Sequence, residues 1–273
     1  MTSTDIRRWQ HLTVPARVDD TDLSIAAMIK PGHGTPLLFL HGFGSTKEDY
    51  ADIAVHPDLG DRPALAYDAP GCGATTCSDL SAIDIPLLVR VAETMINHAG
   101  YRRYHLIGHS MGGLTALLLA HAQPEQVAGF VNIEGNIAPE DCFLSRQIVN
   151  HHRTDPEEFL SDFIDRLRGS RYYSASLYAA SLPFKVRAGA IEPIFTSMVD
   201  LSDHHPLMKW FLTLPAARML MYGDQNNTLS YLPTVQAAGV ELAEIPDCGH
   251  FPMYANAPEM WRRIHQFLVA TGR

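Results

Sequence analysis

Two segments of this 273-residue chain carry residue types that could do chemistry. The segment "LIGHSMGG", residues 106–113, places Ser110 in a Gly-x-Ser-x-Gly pattern between an apolar run and the helical stretch "MGGLTALLLAHA". Gly108 and Gly112 leave room for a tight turn that lifts the serine hydroxyl out of the backbone, next to the free N–H groups of a new helix. A serine in this setting predicts nucleophilic attack, provided that a base removes its proton.

The second segment is "FVNIEGN", residues 130–136, in which an apolar run leads directly into the carboxylate of Glu134. A buried carboxylate without a partner is destabilising by several kcal/mol. We therefore expect Glu134 to have a partner elsewhere in the chain.

The elements that must position these residues alternate along the chain. Six short apolar runs predict buried strands, and they begin at Pro36, Pro63, Tyr104, Val127, Arg218 and Val240. Apolar residues at helical spacing, as in 84–98 and 258–269, predict helices between and after them. This alternation predicts an α/β fold with a mainly parallel sheet flanked by helices. The opening segments "HLTVPA" and "LSIAAMI" predict an antiparallel pair of strands.

The alternation stops between Ile137 and Leu214, a stretch too long for a structureless loop. Within it, "TDPEEFLSDFIDRLRG" predicts a helix that starts at Asp155 and Pro156. Further helices are predicted over 174–182, 188–202 and 206–214. We therefore predict one α/β core formed by residues 1–136 and 215–273, with residues 137–214 as a helical cap over the carboxyl edge of the sheet.

Composition and charge exclude several classes of partner. A formal net charge of −9 disfavours binding to nucleic acid, which requires clustered Lys and Arg. The start of the chain is polar and no apolar stretch approaches the ~20 residues that span a bilayer, so we expect a soluble, cytoplasmic protein with no membrane partner. The four cysteines lack zinc-type or disulfide-type spacing, and histidines adjacent in sequence have diverging side chains. We expect no metal and no cofactor.

Four motifs occur in the order found in the α/β-hydrolase superfamily, namely "LFLHGFG", "YDAPGCGAT", "LIGHSMGG" and "DCGHFP". The chain resembles this superfamily over nearly its whole length, which implies the α/β-hydrolase fold and a serine mechanism. The resemblance implies that His250, in the last motif, is the base. It also implies that the backbone N–H groups of Phe43 and Met111 donate to the oxyanion of the tetrahedral state. We assign structural roles to His41 and His109.

The acid that orients His250 has two candidates. The usual family position follows the strand "RMLMYG", where this chain has the amide Asn226 in place of an acid, and Asp224 lies two residues earlier. In some relatives, including a subset of haloalkane dehalogenases, the acid follows the preceding strand. The segment "VAGFVNIEGNIAP" resembles that variant and places Glu134 at the position of the acid. We predict that Glu134 is the acid, with Asp224 as the alternative.

A serine at the nucleophile position disfavours dehalogenase and epoxide-hydrolase chemistry, because the related enzymes of those types use aspartate there. The resemblance therefore implies hydrolysis of an ester, lactone or thioester of a largely apolar small molecule through an acyl-enzyme intermediate. The first alternative is hydrolysis of a carbon–carbon bond in a diketone-type substrate. The second is a ligand-sensing receptor of this fold with little turnover.

Apolar side chains are predicted to line the substrate pocket: Phe143, Met198, Trp210, Phe211 and Phe251. The cap residues among them would also serve simply to pack the cap on the core. An anionic substrate would instead require an inward-facing basic side chain such as Arg146. We expect a small-molecule substrate as the partner and allow for a homodimer.

Overall fold

The computed structural model describes residues 8–149 and 155–271, so residues 1–7, 150–154 and 272–273 of the predicted core and cap lie outside the described residues. Nine strands within the described residues form one sheet. They are β1 (Gln10–Val18), β2 (Thr21–Lys30), β3 (Leu37–Leu40), β4 (Ala64–Tyr67), β5 (Thr76–Cys77), β6 (Tyr104–His109), β7 (Val127–Ile133), β8 (Ala217–Gly223) and β9 (Glu241–Ile245).

The sheet is mainly parallel, as predicted. Its order is β1-β2-β4-β3-β6-β7-β8-β9, with β5 also paired to β2. Strands β3, β4 and β6–β9 pair in parallel, whereas β1 and β5 pair with β2, and β2 with β4, in the antiparallel sense. Strands β3 and β4 are buried along their whole length, which explains why they read as continuous apolar runs.

The order of the strands reverses at β3, because β4 lies on one side of it and β6 on the other. In open α/β sheets, ligands bind in the crevice outside the carboxyl ends of the strands at such a point. The segment after β3 contains Phe43, and the segment after β6 begins with Ser110. The topology therefore brings two of the predicted site residues to one edge of the sheet.

The sheet is flanked by α-helices. They are α1 (Ile85–Ala99), α2 (Met111–Ala122), α3 (Phe143–Val149), α4 (Pro156–Arg168), α5 (Tyr173–Lys185), α6 (Ile191–His204), α7 (Leu207–Thr213), α8 (Leu232–Ala237), α9 (Pro252–Ala255) and α10 (Ala257–Thr271). In the described parts of the chain, no helix combines the length and apolar character needed to cross a membrane.

Local capping explains where the helices begin. The side chain of Asp84 accepts a hydrogen bond from the backbone N–H of Leu87 at the start of α1. Asp155 does the same for the N–H of Glu157 at the start of α4, where Pro156 is the first helical residue. The predicted start of α4 is thus confirmed.

Candidate active site

Ser110 forms the turn between β6 and α2. Its backbone has φ 51° and ψ −119°, a conformation that L-residues rarely adopt and that often marks a functional site. Glycines permit the turn, because a Cβ atom on Gly108 would lie 2.5 Å from the carbonyl oxygen of Gly112, and one on Gly42 would lie 3.1 Å from Cβ of Ser110. The turn places Ser110, half-buried, at the N-terminus of α2.

Glu134 follows β7 directly, and its side chain is 5% exposed. Its Oε1 accepts a hydrogen bond from the backbone N–H of Gly223 at 2.7 Å, and its Oε2 accepts one from Nδ2 of Asn226 at 2.5 Å. Oε2 also lies 3.1 Å from Nδ1 of His250. These three partners offset the free-energy cost of burying the carboxylate. Asn226, at the family's usual acid position, therefore donates to the acid instead of replacing it.

His250 lies in the loop after β9, and His109 holds the backbone of this loop. Nε2 of His109 donates a hydrogen bond to the carbonyl oxygen of His250 at 2.8 Å. Burial, followed by the nearby His250, lowers the pKa of His109 well below its ordinary value, so the His109 ring is neutral. Nδ1 of His250 faces Glu134, which leaves Nε2 as the ring nitrogen available for proton transfer.

Asp224, the alternative acid, contacts the backbone of the same loop. Its Oδ2 accepts from the N–H of Asp247 and its Oδ1 from the N–H of Cys248, both at 3.1 Å. These two residues precede His250 in the loop. The structure therefore places Glu134 against the imidazole, with Asp224 bracing the loop that carries it.

His41 braces the segment after β3. Its Nδ1 donates to the carbonyl oxygen of Gly42 at 2.7 Å, and its Nε2 accepts from the N–H of Ala69 at 2.8 Å. One ring nitrogen donates and the other accepts, so the ring must be neutral. Burial lowers the pKa of His41, which is consistent with that state.

The candidate oxyanion donors lie on two segments beside Ser110. Met111 is the first residue of α2, so its N–H has no acceptor within the helix. Phe43 follows Gly42, whose backbone approaches Cβ of Ser110 closely. The Phe43 ring packs edge-on against Phe195 of α6, with 4.8 Å between ring centroids. Both residues thus lie beside Ser110, and the role of their N–H groups as oxyanion donors stays a prediction.

These residues share one cavity of about 410 Å³. Its wall includes Ser110, Glu134, His250 and Phe43. The predicted pocket residues Phe143, Met198 and Phe251 also lie in its wall: Phe143 in α3, Met198 in α6 and Phe251 next to His250. The cavity lies between helices α3–α6 and the carboxyl edge of the sheet. Within residues 8–149 and 155–271, no group of three His, Cys, Asp or Glu side chains could hold a metal ion.

Two pocket predictions were wrong. Trp210 and Phe211 lie on α7, which packs against the core and not over the cavity. The Trp210 ring stacks on His121 of α2 with 4.3 Å between centroids, and the fully buried Phe211 packs edge-on against Phe130 of β7. Their apolar character stabilises the attachment of α7 to the core.

Four tyrosines outside the predicted pocket set line the cavity: Tyr172, Tyr178, Tyr222 and Tyr231. Tyr222 is the next-to-last residue of β8, so its position at the carboxyl end of a predicted strand was a usable signal. Tyr231 lies between Asn226 and α8, where the sequence has no recognisable pattern.

The sequence matches the model of the Alpha/beta hydrolase family over residues 37–263, a range that contains every site residue described above. The protein belongs to the α/β-hydrolase family. The fold and the family predicted from the four motifs are thus confirmed.

Similar proteins carry names of different activities. A 2-succinyl-6-hydroxy-2,4-cyclohexadiene-1-carboxylate synthase from Serratia proteamaculans is 24% identical over 245 residues, which cover 86% of this chain and 94% of that protein. The dihydrolipoyllysine-residue acetyltransferase component of the acetoin cleaving system from Pseudomonas putida is 35% identical over 96 residues, which span 35% of this hydrolase and 25% of that protein. A thermophilic esterase from Thermogutta terrifontis has a TM-score of 0.75 at 18% identity, with 97% and 100% of the two chains covered. These similarities establish the fold, and the function must be argued from the site.

The cavity of this hydrolase has an acidic wall. Glu134, Glu140 and Asp141 line it, whereas no Lys or Arg does so among the residues that the structure describes. Arg146 instead forms a bidentate ion pair with Asp203 on the exposed surface, with N···O distances of 2.7 and 2.6 Å. The basic side chain that an anionic substrate would require is therefore directed away from the site.

Asp141 is a half-buried carboxyl group within this wall. Its Oδ2 accepts hydrogen bonds from the backbone N–H groups of Ile137 and Ala138 at 2.8 and 2.9 Å, and its Oδ1 accepts one from the hydroxyl of Tyr231 at 2.7 Å. Burial outweighs these hydrogen bonds and raises the pKa of Asp141 from 3.8 to about 6.

We expect Asp141→Asn to change how stability depends on pH. Below the unfolded pKa, the wild-type carboxyl is neutral in both the folded and unfolded chains. Between the unfolded pKa and the folded pKa of about 6, the carboxyl ionises in the unfolded chain but stays protonated in the folded one, so rising pH lowers the free energy of unfolding until it passes the folded pKa. The free energy of unfolding of the wild type relative to the variant should thus fall by roughly 2 kcal/mol between about pH 4 and about pH 7.

Denaturant unfolding of both proteins at the two pH values measures this difference. Asparagine keeps one oxygen for the two backbone N–H groups and does not titrate, so the comparison cancels the other ionisable groups. If the difference in unfolding free energy between the two proteins did not depend on pH, the raised pKa of Asp141 would be contradicted.

Proposed function

We propose that this α/β-hydrolase is a serine hydrolase that cleaves an ester, lactone or thioester of a neutral, largely apolar small molecule. The observation that carries the proposal is the 3.1 Å contact between Nδ1 of His250 and Oε2 of Glu134, in a cavity that Ser110 also lines. A nucleophile, a base and an acid that orients the base then share one site.

In the proposed mechanism, Nε2 of His250 takes the proton of the Ser110 hydroxyl as the serine oxygen bonds to the acyl carbon. Glu134 orients the ring and stabilises the imidazolium that forms. The N–H groups of Phe43 and Met111 stabilise the negative charge on the former carbonyl oxygen. His250 then gives the proton to the leaving group, and a water molecule activated by the same base releases the acid product.

The charge of the cavity wall supports a neutral substrate. Glu140 and Asp141 lie in the wall with apolar side chains such as Met198 and Phe251, and their negative charges would repel a substrate carboxylate placed there. The relative from Serratia is named as the synthase of a carboxylate. The acidic wall argues against a carboxylate ligand here and so favours ester hydrolysis over the activity of that relative.

A matched pair of substrates tests the proposal. We expect the hydrolase to cleave 4-nitrophenyl butyrate with a kcat/KM at least about 10-fold above that for the 4-nitrophenyl monoester of succinate, because one unfavourable charge contact of about 1.4 kcal/mol has this effect. The two esters share a leaving group and differ at the far end of the acyl chain by a carboxylate. Release of 4-nitrophenol gives both rates.

Glu140→Gln serves as the matched variant and should reduce the difference in kcat/KM between the two esters. Equal or faster cleavage of the succinate ester by the wild type would contradict a neutral-substrate site. Cleavage of a diketone without turnover of any ester, lactone or thioester would establish the carbon–carbon alternative in its place.

A further inference from the structure

Tyr178, on α5, contacts both the segment that carries the proposed oxyanion donor Phe43 and the loop that carries the proposed base His250. Its hydroxyl donates a hydrogen bond to the carbonyl oxygen of Phe43 at 2.6 Å. Its ring stacks on Phe251, the neighbour of His250, with 4.3 Å between ring centroids. Tyr178 is 3% exposed, so both contacts are shielded from solvent. The cap thus contacts the segment that contains Phe43 and the loop that contains His250 through one side chain.

Gly44 makes the hydrogen bond to Phe43 sterically feasible. This glycine has a φ of +72°, and a Cβ atom there would lie 2.5 Å from the Tyr178 hydroxyl oxygen. Any side chain at this position would therefore displace the hydroxyl. Burial raises the pKa of Tyr178 well above its ordinary value, so the hydroxyl keeps the proton that it donates.

The C-terminal end of α5 is fixed to the core, which restricts where Tyr178 can lie. The N–H of Gly73 donates to the carbonyl oxygen of Lys185 at 2.8 Å. The N–H of Arg187 donates to the carbonyl oxygen of Gly71 at 2.9 Å. These paired backbone contacts resemble one rung of a sheet. They hold the end of the helix that carries Tyr178 against the core.

We propose that Tyr178 is a positioning residue that aligns the oxyanion donor at Phe43, an inference that rests on the proposed serine-hydrolase function. The C=O and N–H of Phe43 are linked through its two backbone torsions, so a hydrogen bond that holds the carbonyl limits the rotation of the N–H. An oxyanion donor acts only within a narrow distance range, and a small displacement weakens it. Tyr178 acts through Phe43 and takes no part in the bond changes.

Tyr178→Phe tests this role, because it removes one oxygen atom and keeps the ring that stacks on Phe251. We expect kcat for 4-nitrophenyl butyrate to fall about 10-fold, less than the roughly 10²–10³-fold loss that removal of an oxyanion donor causes. KM should stay within about 2-fold, because the donor acts mainly on the transition state. The rate of inactivation by a small alkyl fluorophosphonate should fall by a similar factor, because its phosphoryl oxygen uses the same donors.

Tyr254→Phe is the matched control. Its ring also stacks on Phe251, at 5.8 Å between centroids, but its hydroxyl donates to Oδ2 of Asp49 at 2.7 Å. We expect this variant to keep kcat within about 2-fold of the wild type. Thermal melts of both variants separate a loss of folded protein from a loss of rate.

Two results would overturn the role of Tyr178 while leaving the proposed function intact. One is a Tyr178→Phe variant with wild-type kcat and wild-type inactivation rate. The other is an equal loss of kcat in Tyr254→Phe, which would indicate a general effect on packing around Phe251. A wild-type protein that cleaves no ester, lactone or thioester and does not react with the phosphonate would refute the proposed function, and the role of Tyr178 with it.

Discussion

Ser110→Ala should lower kcat for ester hydrolysis by about 10⁴-fold or more, as expected when the nucleophile of a serine hydrolase is removed. The expectation rests on the turn between β6 and α2, which places the Ser110 side chain in the wall of the cavity that His250 and Glu134 also line. Alanine is smaller than serine by one oxygen atom, so the turn and its glycine contacts should persist. Stopped or continuous assays with 4-nitrophenyl butyrate measure the loss.

The control for this variant is its thermal stability, which should stay close to that of the wild type. If a correctly folded Ser110→Ala protein retained turnover within about 10-fold of the wild type, another group would have to be the nucleophile. Residual activity also has to be compared with the rate in buffer alone.

Glu134→Gln should lower kcat by about 10³–10⁴-fold, the size of effect known for the equivalent change in serine proteases. The glutamine oxygen can still accept from the N–H of Gly223, but the amide NH₂ would then face Nδ2 of Asn226 and Nδ1 of His250, both donors in the native site. His250 would have to move its proton from Nδ1 to Nε2. That tautomer cannot accept the proton of Ser110.

Asp224→Asn is the matched control, because Asp224 braces the backbone before His250 without contacting its ring. Asparagine retains one acceptor oxygen, so the loss of kcat should stay within about 10-fold. Thermal melts of both variants are needed, since a buried acid also affects stability. A severe loss in Asp224→Asn with near-wild-type turnover in Glu134→Gln would reverse the assignment of the acid.

The central strands and the capped helices were predictable because their sequences obey simple patterns. Strand β3 is buried on both faces and reads as "LLFL", and α4 begins with an Asp-Pro pair that caps its first turn. The position of Ser110 was predictable for a similar reason, since glycines at fixed offsets have a steric purpose in the turn. The contact between Glu134 and His250 required a family resemblance, because 116 residues separate the two in sequence.

Helix α3 was not predicted, because the burial pattern of its first turn is inverted. Phe143 is 77% exposed at the mouth of the cavity, whereas Ser145 is 3% exposed. A pattern based on buried apolar residues cannot identify such a helix. The role of Trp210 and Phe211 was misassigned for a related reason: apolar residues in a cap segment look alike whether they face a cavity or the core.

The contact of Tyr178 with Phe43 lay beyond any sequence argument as well. It links residues 135 positions apart and depends on a glycine, Gly44, that leaves room for the hydroxyl. Local sequence carries information about turns and caps, but not about which side chain of a cap reaches which loop. The tertiary structure is needed to see that contact.

Peptide mapping after reaction with a fluorophosphonate tests the central claim most directly. The proposal predicts a single phosphonyl group, located by tandem mass spectrometry on the peptide that contains Ser110, with loss of esterase activity in proportion to labelling. Labelling of a different residue, or full esterase activity in protein whose Ser110 is completely labelled, would contradict the assignment of Ser110 as the nucleophile.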